Sequence, residues 1–113
     1  MSRNSTRTKA RTTRMVYGLL AKIGRRAIQL ERDSLSRLYE VNRHNVFIHG
    51  SRRKLPDIRG EFVQTLIGEG WERENKTDAV WLRRNGILIA VDGIAKWSSM
   101  VVRDHDTFRV GVH

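Results

Sequence analysis

The sequence predicts an α+β domain in which basic N-terminal helices pack against a small antiparallel β meander, with a basic N-terminal arm in front. Three observations carry this. Apolar residues in the first half recur at helical spacing. Residues after 70 alternate with period two around an Asn-Gly turn. The positive charge is confined to the half that reads as helical. A length of 113 residues suits one domain, with the arm as residues 1–13 and the domain as 14–113.

The first fourteen residues hold Arg3, Arg7, Lys9, Arg11 and Arg14 among Ser, Thr, Asn and Ala. No large apolar side chain after Met1 is available to bury, so a flexible arm is expected. Residues 14–42 follow as helix, with Val16, Leu20, Ile23, Ala27, Leu30, Leu38 and Val41 mostly three or four apart. Asp33 and Ser34 offer an N-cap inside this stretch. Two helices, 14–31 and 34–42, are therefore favoured over one long helix. The opposite face of this stretch carries Arg14, Lys22, Arg25, Arg26, Arg32 and Arg37.

Val46–Ile48 reads as a short strand, followed by a loop containing Arg52, Arg53 and Lys54. Asp57 is placed to cap a helix over 58–68 that Gly68 and Gly70 end. Beyond it, strands over 71–74, 79–84 and 87–91 form a meander. Asn85-Gly86 suits a type I′ turn, whose two central residues need positive φ. That turn sets a register in which Leu82 faces Ile89. Val80, Leu82, Ile87, Ile89 and Val91 then form the buried face, while Trp81, Arg83, Leu88 and Ala90 form a mixed one. Residues 100–103 and 107–112 are expected to make a last hairpin around Asp104–Asp106.

Charge narrows the class of partner. Residues 1–54 hold fourteen Lys and Arg against Glu31, Asp33 and Glu40, a net +11. Residues 55–113 hold eight against nine, a net −1. A surface selected for solubility alone would mix signs throughout. A polarised excess of this size points to an anionic partner, and nucleic acid is the leading one. The candidate phosphate contacts are Arg3, Arg7, Lys9, Arg11, Arg14, Lys22, Arg25, Arg26, Arg32, Arg37, Arg52, Arg53 and Lys54. Arm hydroxyls would add hydrogen bonds.

Other chemistry is poorly represented. The chain has no cysteine, which excludes disulfides, thiolate metal sites and cysteine nucleophiles. His44 and His49 fall on opposite faces of a strand, while His105 sits in a turn, so no metal site or cofactor is expected. Asp78, Asp92 and Lys96 resemble the metal-binding Asp and following Lys of restriction-type nucleases. Ile94 stands where that pattern has its second acid, so a small nuclease ranks below the binding readings. No apolar run approaches a membrane span. No small-residue cleavage site follows Met15–Gly24, and a cytoplasmic location is expected.

The leading expectation is thus a small, non-enzymatic, nucleic-acid-binding accessory protein, with RNA and DNA both open. The alternative is a protein-interaction subunit: a small inhibitor, or a component of a larger assembly such as a phage particle or ribonucleoprotein. Its docking surface would be Trp81, Arg83 and Leu88. Of the three tryptophans, Trp81 is the best placed to stack on an unpaired base or a partner.

Overall fold

A computed structural model describes residues 6–33, 44–76, 79–96 and 104–113 of the chain. Among the described residues two helices and seven antiparallel strands form an α+β fold, as the sequence predicts. In chain order these are α1 (Thr6–Gly24), β1 (Ile28–Asp33), β2 (His44–Ser51), α2 (Leu55–Gly68), β3 (Glu72–Lys76), β4 (Ala79–Arg84), β5 (Ile87–Val91), β6 (Ala95–Lys96) and β7 (His105–Val112).

The sheet runs β1-β2-β7-β5-β4-β3, with β6 also paired to β7. Both helices contribute to a core against one face of it. Val16 and Leu20 from α1 meet Leu55, Phe62 and Leu66 from α2 over Val46, Ile48, Phe108, Val110, Val112, Leu82, Ile89 and Val91. Each such side chain, fully removed from water, contributes roughly 1.5–3 kcal/mol.

The N-terminal third departs from the sequence expectation in two ways. The described part of the arm, residues 6–13, is helical, and the helix ends at Gly24 instead of Glu31. Packing of Val16 and Leu20 offsets the cost of nucleation, and extending a helix backwards from a nucleus is cheap. Thr13 is 1% exposed, and the Thr12 and Thr13 hydroxyls donate to the carbonyls of Thr8 and Lys9. Those two hydroxyls serve the helix, not a phosphate.

Gly24 permits the turn that stops the helix. A Cβ there would lie 2.5 Å from the Ile28 side chain, Arg25 adopts φ +46°, and the Ala27 N–H donates to the Gly24 carbonyl. The chain turns, and Ile28–Asp33 becomes an edge strand paired with β2, Leu30 opposite Ile48. The expected second helix over 34–42 lies outside the described residues, apart from the strand residue Asp33 that was to cap it.

The second half follows its pattern closely. Leu82 faces Ile89 and Val80 faces Val91, while Asn85 and Gly86 have φ +50° and +80°. α2 begins at Leu55, three residues before the sequence boundary, because Pro56 suits the first turn. Asp57 lies inside that turn, so its carboxylate favours the helix dipole and does not cap. Gly70, at φ +101°, ends the helix as Trp71 donates to Leu66 and Gly70 to Ile67. His105 opens β7 instead of lying in a turn. The hairpin partner expected at 100–103 lies outside the described residues.

Candidate nucleic-acid interface

At 100° per residue, Arg7, Arg11, Arg14, Gly18 and Lys22 fall within an arc of about 80° on α1. Arg25 follows in the turn that ends the helix. The four cations of the arc, Gly18 and Arg25 are all exposed, and α1 contains no acid. Arg7, Arg11, Arg14, Lys22, Arg25 and Arg26 form no ion pair with an acid among the described residues. The result is a continuous basic ridge about 28 Å long, the length of a nineteen-residue helix.

The ridge meets a second group of cations at its C-terminal end. Gly50 of β2 lies between Ile28 and Leu55, close to the Ala27 carbonyl. This contact brings the Arg25–Arg26 turn and the 52–54 turn to the same end of the sheet. Arg53 and Lys54 are exposed there. Arg52 is engaged instead, its guanidinium 3.3 Å from Asp106 and 3.7 Å from Asp104. Two further predicted contacts leave the ridge. Lys9 falls on the opposite side of α1, above Thr13, Val16 and Leu20. Arg32 sits on β1 opposite Val46, not on a helix. Arg3 and Arg37 lie outside the described residues.

The predicted docking residues share the other face of the sheet. Trp81 pairs opposite Ala90, and Arg83 opposite Leu88. Trp81 and Leu88 are half-buried, Arg83 is exposed, and Ala90 is buried. The Trp81 ring lies 5.6 Å from that of His113, and the Lys76 ammonium sits 5.5 Å over it. Arg83 and Lys76 both reach Glu74, at 3.7 and 3.9 Å. Trp71 belongs to the core, and Trp97 lies outside the described residues.

Of the nuclease-like pair, Asp92 is described and pairs with an arginine. Its carboxylate lies 3.0 Å from Arg109 Nε, and Asp78 lies outside the described residues. Among the described residues no three His, Asp or Glu side chains are grouped to hold a metal ion. No described helix is long and apolar enough to cross a membrane.

Sequence reasoning missed two features. Arg59 donates from α2 to the carbonyls of Asp92 and Val91, at 2.8 and 3.2 Å. It thereby satisfies backbone groups where β5 leaves β7. An arginine among apolar helix residues was the available signal. His44 is the other: it is 7% exposed, and neither ring nitrogen has a hydrogen-bond partner among the described residues. Burial, reinforced by Lys9 and Arg32, holds its pKa below the usual histidine value.

No protein-family model, curated protein or solved structure matches the chain.

Proposed function

We propose that this protein is a small, cytoplasmic, non-enzymatic nucleic-acid-binding accessory protein that holds phosphates along the exposed ridge of α1. One observation carries the reading: a helix of nineteen residues with no acid presents Arg7, Arg11, Arg14 and Lys22 on a single solvent face. An unneutralised row of this kind repels itself, and polymeric phosphate relieves the repulsion along its whole length. Arg25, Arg26, Arg53 and Lys54 extend the same surface. Contacts of this type position a nucleic acid without reading its bases, so RNA and DNA are both substrates of this reading.

Charge reversal tests it. Arg11→Glu with Arg14→Glu should weaken binding of oligonucleotides by comparable factors whatever their sequence, measured by fluorescence anisotropy. Affinity lost for one sequence alone would mean that these residues read bases, and unchanged affinity would remove the ridge from the interface.

A second reading rests on a different observation. Trp81, Arg83 and Leu88 are grouped on the sheet face that α1 and α2 do not cover, so protein docking there is compatible with nucleic acid on the ridge. In that case the chain would join a nucleic acid to a larger protein assembly.

A further inference from the structure

We propose a phosphate-binding site beneath the N-terminal half of α1, formed by Lys9, Arg32 and His44. It is separate from the ridge, because Lys9 lies about 180° around the helix from its centre. The site therefore does not depend on the ridge reading.

The placement follows from register and helix phase. Lys9 continues the row Thr13, Val16 and Leu20 that faces the sheet, where Thr13, Val16 and Leu20 are all buried. Arg32 lies opposite Val46, and His44 is two residues from Val46 along β2. Residues two apart on a strand share a face, so Arg32, Val46 and His44 all point to the layer beneath α1. His44 also pairs opposite Val112, a core residue.

Among the described residues no acid lies at the His44 end of this layer: the one acid on this face of β7, Asp106, sits opposite Gly50 at the far end of the strand, paired with Arg52. α1 contains none. β1 contributes Ile28, Leu30 and Arg32 to this face, β2 contributes His44, Val46 and Ile48, and β7 contributes Asp106, Phe108, Val110 and Val112. Three basic groups thus share this layer, with His44 buried, Lys9 half-buried and Arg32 exposed on the edge strand. The most buried of them has no hydrogen-bond partner on either ring nitrogen among the described residues.

Like charges gathered without a counter-charge are costly, and a buried polar side chain without a partner adds to the cost. A compact oxyanion removes both costs. Phosphate offers acceptors in several directions at once, to an ammonium, a guanidinium and an imidazole N–H. Protonated His44 would be stabilised by the same anion, so binding should tighten as pH falls through the histidine range. The other charged groups facing His44 are Lys9 from α1 and Arg32 from β1.

The test follows the His44 imidazole signals by NMR while inorganic phosphate is added, with sodium chloride at equal ionic strength as the reference. The expected result is a saturable shift produced by phosphate and not by chloride. Phosphate should also raise the pH at which His44 titrates. Lys9→Ala and Arg32→Ala should each weaken phosphate binding about tenfold while leaving the folded spectrum intact. Trp81→Ala should not change it. A short oligonucleotide with and without a 5′-phosphate separates the sources. A response to the phosphorylated form alone assigns the site to a terminal phosphate of nucleic acid. A response to inorganic phosphate and to neither oligonucleotide assigns it to a free phosphate. A His44 signal that moves equally in phosphate and chloride overturns the proposal, as does unchanged phosphate affinity in both Lys9→Ala and Arg32→Ala.

Discussion

Leu82 and Trp81 are chain neighbours that β4 sends to opposite faces, and their substitutions should separate folding from binding. Leu82 has no exposed surface, so Leu82→Ala should cost about 2–5 kcal/mol in a denaturant melt. Trp81 is half-exposed and leans on His113 and Lys76. Trp81→Ala should cost about 1 kcal/mol or less, yet weaken a partner docked there by about 2 kcal/mol or more. Equal destabilisation by the two would make both faces core. His44 gives a second prediction at this scale. Its pKa is lowered in the folded state, so the unfolded chain takes up the proton first as pH falls. The stability linked to this group is fully present above its unfolded pKa, about 6.5. It is lost as pH falls from there through the lower folded value. In a buffer without phosphate, thermal melts at pH 7.5 and pH 5 should differ less in His44→Gln than in the native chain. An equal difference in both would mean that His44 does not contribute to it.

Gly18 sits in the middle of the α1 ridge, where an added Cβ would meet nothing within 4 Å. The fold gives no steric reason for glycine there, and Gly18→Ala should stabilise the protein by about 0.5–1 kcal/mol, read as a higher Tm. A lower Tm would mean that the helix bends or packs at this point. The same element shows what could be read from sequence and what could not. Val16 and Leu20 at helical spacing announced α1, but Ile28 and Leu30 fit a helical phase as well as the alternation of an edge strand. What decides between them is the pairing of β1 with β2, Leu30 opposite Ile48, which Gly24 permits by leaving room for Ile28 at the turn. That contact is tertiary, and no local pattern contains it. Residues 6–13 were equally illegible, because their order comes from a nucleus at Val16 and Leu20 and from one buried threonine. Deleting residues 1–14 should therefore lower the Tm by several degrees, since it removes buried Thr13 and about half of α1. An unchanged Tm would show that this segment contributes nothing to the fold. The β4–β5 hairpin was legible throughout, because Asn85-Gly86 fixes both turn and register locally.

Across the whole molecule, the sheet separates surfaces that the sequence lists together. Charge asymmetry identified the basic residue set, but only the fold sorts it. Arg7, Arg11, Arg14, Lys22 and Arg25 form one exposed line, Arg52 is taken up by Asp104 and Asp106, and Lys9 and Arg32 stand off the ridge, on the side of His44, whose pKa they help to lower. Trp81, Arg83 and Leu88 lie on the face opposite α1, so one short rigid duplex on the ridge does not also cover them. Trp81→Ala should then leave nucleic-acid affinity unchanged while ridge variants lose it. Phosphate binding along the ridge shows most clearly in the salt dependence of binding to a short duplex DNA. Each phosphate contact contributes a slope of about −0.9 to log K against log salt, so five ridge cations predict about a 500-fold loss between 50 and 200 mM salt. Replacing Arg7, Arg11 and Arg14 by Gln should reduce the steepness of that slope by about 2.7. A slope that stays the same in the triple variant would contradict phosphate binding by the ridge.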